Sequence, residues 1–583
     1  MQLSFLSSQK KNYSNNQLKL LPSSMRQPFS HRPRLIFALL CFLFLYGLIG
    51  RCLISYGIKG GQIEEAKGPL IVQLASRPDI VDRNGRLLAK DITTYSLFAE
   101  PRRIIDVDET IELISTVLPK LNWQEVHKRL KRNSGFSWIQ RGLTPTQKAQ
   151  IMELGIPGIG FRTEIRRFYP GGSIASHILG MVNVDNQGLA GMEKYIDDNG
   201  LSILRATGLA TEESLKPVQL SIDIRVQAIV RDELMEAMKR YKAIAAGAII
   251  LNIYTGEVLA LASVPDFSPA NPVDALKSDR FNRMTAGTFE MGSIIKSFTT
   301  AMALDSGLFH LNSIIDASQP IQASRNYFIR DFHGKNRLLT LWEVFIYSSN
   351  IGSAKEALAI GIDGHRNFLK RLGLLDRVST ELPEVAQPIY PHYWKDINSM
   401  TISFGHGMAT TPLQTAVAAA ALMNSGLLID PTFLKRSKKE ALKYAKQILH
   451  PQTSQDMRYL YKLNSDIGSG RNAKVVGYRI GGKTGTSEKV ENGKYSKVKN
   501  FNSFLAAFPI DNPSYIVLTI IDEPKPEDGK HSATAAMNAA PMLANIIRRS
   551  AIFLGIEPDL KKEYEPIIGT KSNVRLPKTT VKN

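Results

Sequence analysis

Cysteine is nearly missing from this chain. Only Cys41 and Cys52 occur among 583 residues, both in or beside one apolar segment. Everything after Cys52 is therefore free of structural disulfides and thiolate zinc sites, an avoidance that fits an oxidising compartment. CxxC, HExxH and aromatic–basic RNA-binding signatures are missing too. The sequence thus implies no metal, no cofactor and no nucleic-acid partner. The net charge of +20 points instead to an anionic neighbour such as a membrane or a polyanionic cell wall. Acid is absent from the first 34 residues, which hold six Lys or Arg.

That basic stretch, residues 1–34, runs into RLIFALLCFLFLYGLIGRCLISYG. Leu35 to Gly50 carry no charge, and with Arg51 snorkelling the segment 35–56 reaches the ~20 residues needed to cross a bilayer. No small-x-small cleavage site follows cleanly, and Arg51 before Cys52 spoils a lipidation box. The expectation is an uncleaved transmembrane anchor with the basic tail in the cytoplasm and the chain after about residue 57 outside. Nucleotides are not sustained there.

Two further domains are expected, since the chain is too long for one and 43% of it is apolar. In residues 57–215, apolar pairs around Asn84-Gly85 read as strands and a turn. Residues 108 to 155 carry helical periodicity. This α+β module shows no catalytic cluster, and its charges read as solvated surface. Residues 216–555 open with a strand and an amphipathic helix. Two apolar runs joined at Tyr254-Thr255-Gly256 follow, and two more strands flank Asp511-Asn512-Pro513. The Ala-rich helix in TPLQTAVAAAALMNSG, with a Gly cap, lies between them. One antiparallel sheet flanked by helices follows from that order. Residues 556–583 read as a polar tail.

Three short segments carry chemistry. In TFEMGSIIKSFTTAMALDSG a helix is expected to begin at Ser293, placing Ser293 and Lys296 on one side within a turn. A serine nucleophile needs such a neighbour to take its proton. Gly292 is expected to let substrate approach the backbone, and the helix start offers N–H groups to an oxyanion. S-x-x-K alone is weak, for it also occurs at Ser7, Ser8 and Ser496. In IYSSNIGSAKEAL, Ser348 and Asn350 fall at a helix start, where capping alone would explain them. Functionally, Ser348 would pass a proton between Lys296 and a leaving amine, and Asn350 would hold the substrate amide.

The third segment, GYRIGGKTGTSEKV, satisfies G-x-x-x-x-G-K-[ST] from Gly477 to Thr484, the phosphate loop of nucleotide hydrolases. Such a loop must open a helix, and GTSEKVENGKYSKV has no apolar face to build one. A strand from about Tyr478 to Thr486 followed by a polar loop fits better. An exposed edge strand can pair with an extended peptide. Lys483 and the hydroxyls of Thr484 and Thr486 would then meet a terminal carboxylate, Gly485 would remove a clashing side chain, and the Thr486 N–H would serve as second oxyanion donor beside that of Ser293.

S-x-x-K, S-x-N and K-T-G in this order within one domain resemble the penicillin-binding proteins, specifically the class B monofunctional D,D-transpeptidases. RPDIVDRNG, RRFYPGGSIASHILG and GLAGMEKYID resemble boxes of that family's non-catalytic dimerisation or pedestal module. GAIILNIYTGEVLALASVPDF, FEMGSIIKSFT, SSNIGSAK, ISFGHGMATTPLQTA and GGKTGTSEK resemble its transpeptidase domain. SSN and KTGT are similar to the septum-specific FtsI type. Met291 departs from the family's usual Pro. The resemblance implies a serine β-lactamase/transpeptidase-like fold, no cofactor, and catalytic roles for Ser293, Lys296, Ser348, Asn350 and Lys483. It also implies binding of D-Ala-D-Ala stem peptides and β-lactams, and divisome partners including an FtsW-type glycan polymerase. An elongation-specific transpeptidase, a D,D-carboxypeptidase, a β-lactamase or a non-catalytic β-lactam-binding scaffold would share the three segments.

Overall fold

The computed structural model describes residues 32–60, 77–201, 203, 215–491, 493–527 and 533–560. Most of the basic tail, the linker at 61–76 and most of the polar C-terminal tail lie outside the described residues. The chain divides into two compact units, Met1–Val72 and Gln73–Asn583. In the first, the apolar segment forms one helix, Arg32–Gly60. Among the described residues no helix is long and apolar enough to cross a membrane, so the anchor rests on the sequence alone.

The second unit begins with a small sheet. Ile80–Val81 pairs antiparallel with Leu87–Ala99 across the Asn84-Gly85 turn, where Gly85 has φ +81°. Leu87–Ala99 pairs in turn with Ser137–Leu143 and Ile159–Phe168. Helices Val107–Val117, Trp123–Leu130 and Pro145–Glu153 cover a core of Leu97, Ile114, Val126, Leu130, Ile139 and Ile151. Their starts are set locally. Asp106 accepts from the N–H groups of Asp108 and Glu109, and Thr144 forms a capping box with Gln147. The helical expectation for 108 to 155 is interrupted by the strand Ser137–Leu143, whose seven residues are too short a stretch to break a periodicity count.

The charges of this module are not all solvated, contrary to expectation. Glu193 is fully buried and accepts from Arg77 Nε and Arg167 Nε, both at 2.7 Å. Asp91 and Asp197 complete the pairing at 3.1 Å to Arg167 and 2.9 Å to Arg77. Removing one partner from such a network typically costs ~3–5 kcal/mol, because it strands a buried charge.

The larger sheet has the order Gly481–Glu491, Lys494–Phe508, Tyr515–Asp522, Ala245–Asn252, Val258–Val264, with every neighbour antiparallel. Strands from both ends of the domain thus close on one another, as their sequence positions implied. Alternation divides its faces: Ala246, Ala248 and Ile250 pack with Ile224–Tyr241 and Ala539–Ser550, while Ile249 and Leu251 face the helices between. Those include Lys296–Asp305 and Pro412–Met423. All twelve residues of Pro412–Met423 are buried, which accounts for an Ala run apolar all round. Its end is turned by Ser425 as well as Gly426, at φ +72° and +90°.

One expectation is corrected here. The strand containing Lys483 runs from Gly481 to Glu491, so the stretch expected to be a polar loop is a hairpin turning at Gly493, φ +76°. From Lys483 onward its buried positions are Lys483, Gly485 and Ser487, alternating with the less buried Thr484, Thr486 and Glu488. A period of two made of polar residues leaves no hydrophobic signal. No helix follows Thr484, so the phosphate-loop requirement fails.

Candidate active site

Ser293 does not begin an α-helix. It sits in a 3-10 turn, Gly292–Ile294, and the α-helix starts at Lys296. Gly292 takes φ +54°, which breaks regular helix geometry just before the nucleophile. The turn lies against the edge strand. A Cβ on Gly292 would stand 2.8 Å from the Thr486 carbonyl oxygen, and one on Gly485 would collide with the Met291 carbonyl oxygen and the Ser503 hydroxyl. These glycines therefore bring two protein backbones together.

Lys296 is 1% exposed and donates to the Ser348 carbonyl at 2.6 Å, the Asn350 side-chain oxygen at 2.7 Å and the Ser348 hydroxyl at 3.0 Å. Lys483, fully buried, reaches the same Ser348 hydroxyl at 3.1 Å. Residues from three distant segments thus meet at one oxygen. Ser348 is no cap for the helix that follows. It is the left-handed C-cap of Leu341–Tyr347, at φ +57°, and Ser349 caps the helix beginning at Asn350. A non-glycine residue held there costs ~1–3 kcal/mol and marks a position that the surroundings enforce.

The enforcing group is Asp331, which sequence reasoning missed. Its carboxylate accepts from the Ser349 hydroxyl at 2.7 Å and the Ile351 N–H at 2.9 Å. Next to it, the Arg330 carbonyl accepts from the Asn350 amide at 2.9 Å. That leaves the Asn350 oxygen turned to Lys296. On the edge strand, Thr484 donates to Ser469 at 2.9 Å. Thr486 accepts from the Ala535 N–H at 3.2 Å, which leaves its own hydroxyl hydrogen to donate.

Both lysines are poorly placed to stay charged. Burial, and then the neighbouring Lys483 cation, push Lys296 well down from its usual range; Asp331 and Glu356 oppose that shift. Burial brings Lys483 down to about 7. As a neutral amine, Lys296 spends both hydrogens on the two shorter contacts. Its lone pair is left for a proton from Ser293 or from the Ser348 hydroxyl. A carboxylate reaching the edge strand would raise Lys483 and fix it as a cation. Among the described residues no group of three or more His, Cys, Asp or Glu side chains is arranged to hold a metal.

Residues 246–545 match the family described as the penicillin binding protein transpeptidase domain, and residues 72–201 match the penicillin-binding protein dimerisation domain. The chain belongs to the penicillin-binding protein family. It is 37% identical to the probable peptidoglycan D,D-transpeptidase FtsI of Caulobacter vibrioides, over 86% of this chain and 84% of that one. Peptidoglycan D,D-transpeptidase FtsI of Escherichia coli is 30% identical over 83% of this chain and 84% of its own. A solved peptidoglycan synthetase from Bifidobacterium adolescentis shares the fold, with a TM-score of 0.63 at 20% identity over 84% of this chain and 97% of that one. Of the residues singled out by the sequence, Lys296, Ser348, Asn350 and Lys483 meet in one hydrogen-bonded cluster, and Ser293 lies in the turn just before Lys296. Asp331 and Ser469 lie outside the three segments, and Ser349 fills the unspecified middle position of S-x-N; their bonds became visible only in the structure.

Proposed function

We propose that this penicillin-binding protein is a septal peptidoglycan D,D-transpeptidase that joins stem peptides through a serine acyl-enzyme. The observation that carries the reading is the meeting of Lys296 and Lys483 at the Ser348 hydroxyl, beside the turn that presents Ser293. The Ser293 oxygen attacks the D-Ala–D-Ala carbonyl of a donor while Lys296 takes its proton. The backbone N–H groups of Ser293 and Thr486, on abutting segments, hold the developing oxyanion. Lys483, Thr484 and Thr486 hold the terminal carboxylate of a donor laid along the free edge of Gly481–Glu491. Ser348 relays the proton from Lys296 to the departing D-Ala amine. An acceptor amine then displaces Ser293, and Lys296 recovers its role in reverse. β-Lactams acylate the same hydroxyl because they mimic the donor.

In this reading the segment 35–56 anchors the protein in the inner membrane, with residues 57–215 as pedestal and 216–555 as catalytic domain outside. An FtsW-type polymerase and other divisome proteins would be its partners. Fluorescent penicillin tests the chemistry: wild type labels covalently, and Ser293→Ala does not. Normal labelling of Ser293→Ala would remove the assignment. Rapid turnover of the penicillin would favour a β-lactamase, and water outcompeting amine acceptors would favour a D,D-carboxypeptidase. Filamentation on depletion marks septal work, and rounding marks elongation.

A further inference from the structure

The edge on which a donor peptide is laid is shorter than the strand that carries it. The helix Pro451–Ile467 crosses the start of Gly481–Glu491, and a Cβ on Gly481 would stand 3.0 Å from the Tyr461 backbone carbonyl carbon. Near the end of that helix, the Asn464 amide donates to the Gly482 carbonyl at 2.6 Å, and the Ser465 hydroxyl accepts from the Gly482 N–H at 3.0 Å. Both side chains are buried. The Asn464 oxygen accepts from the Ser469 N–H at 3.1 Å, which fixes the direction of the amide. Ser469 in turn takes the Thr484 hydroxyl.

In an antiparallel pair the main-chain groups turned to one edge recur every second residue. Those of Gly482, Thr484 and Thr486 therefore face the same side, away from Lys494–Phe508. At Gly482 both groups are taken by side chains of this protein, and the Thr486 carbonyl lies against Gly292. The open stretch is thus bracketed around Thr484 and Thr486. With the oxyanion held at Thr486 and the carboxylate at Lys483 and Thr484, a donor runs toward Gly482, the closed end.

We propose that Asn464 and Ser465 are specificity-determining residues: they stop the edge at Gly482, so that the donor ends one residue after the scissile amide. A longer donor must displace both side chains and leave their buried polar groups without partners, a strong ground for rejection. The inference deepens the serine acyl-enzyme reading and rests on it.

The test offers the full-length protein three thioesters of an acylated D-alanine, made with thioglycolate, with its amide and with thioglycolyl-glycine. The second-order acylation constant is followed by loss of the thioester absorbance. The amide removes the carboxylate and adds no residue, so it measures carboxylate recognition by itself. In the wild type the glycine-extended donor acylates about tenfold to a hundredfold more slowly than the amide. Asn464→Ala and Ser465→Ala each narrow that gap by at least about threefold, since less must be displaced. The gap is a ratio within one protein, so a general loss of active fold cancels from it; Ser465→Ala removes only a hydroxyl. Equal rates for the amide and the extended donor in the wild type, or a gap unchanged in both variants, overturn the inference. Failure of the free-acid donor to acylate Ser293 in the wild type would instead overturn the proposed function.

Discussion

Gly292→Ala tests the contact between the nucleophile turn and the edge strand. The added Cβ would stand 2.8 Å from the Thr486 carbonyl oxygen, 3.0 Å from its carbon and 3.2 Å from its nitrogen, where ordinary contact begins at 3.4 Å. All three atoms are backbone, so no side chain can swing aside. The difference of 3.4 and 2.8 Å requires the turn and strand to part by about 0.6 Å. A displacement of ~1 Å in a catalytic constellation costs on the order of 10²-fold in rate, so 0.6 Å corresponds to roughly tenfold to thirtyfold. At φ +54° the new side chain also adds ~1–2 kcal/mol of backbone strain. The assay is the second-order acylation constant with fluorescent penicillin, read beside a thermal melt. Gly85→Ala is the control, since it carries φ +81° but opens into empty space. It pays the strain without the collision and acylates normally. Acylation of Gly292→Ala within about twofold of wild type would refute the close packing of turn against strand.

Two other outcomes are expected. Lys483→Met acylates poorly, yet it melts higher than wild type at pH 6. The folded pKa of Lys483, about 7, lies below its unfolded value near 10.5. The unfolded chain therefore binds more protons between those values, and the burial cost is fully present below 7 and relieved as pH rises toward 10.5. The gap in melting temperature accordingly narrows across that window; a gap that is constant or reversed contradicts it. Asp331→Ala releases the Ser349 hydroxyl and the Ile351 N–H together. Acylation falls about tenfold to a hundredfold, while binding of an uncleavable donor peptide, which reads the edge strand, changes by less than about threefold; equal losses in both would mean the whole groove has moved.

How much of this was readable beforehand depends on where each signal lives. Continuous apolar runs located Ala245–Asn252, Val258–Val264 and Tyr515–Asp522, because those strands are buried on both faces. Gly481–Glu491 carries polar residues on both faces, so its second half read as a loop. Residue type and spacing exposed Ser293, Lys296, Ser348, Asn350 and Lys483, since their chemistry is itself the motif. Asp331 and Asn464 act by proximity across sequence gaps of 18 residues each, to Ser349 and Gly482. Nothing in their local windows announces a partner that far away. The same holds for Glu193, whose charge is legible while its burial between Arg77 and Arg167 is not.

The short strand Val218–Gln219 pairs in parallel with Ile80–Val81, and the next residues continue the bond: Arg83 N–H donates to the Ile222 carbonyl at 2.9 Å, and Ser221 N–H donates to that of Phe433 at 2.8 Å. A cut at residue 215 that looks clean on paper therefore removes one rail of the N-terminal sheet. What is left has bare backbone where its neighbour lay, an invitation to aggregate. The two modules share a seam, and each is finished by residues counted as the other's.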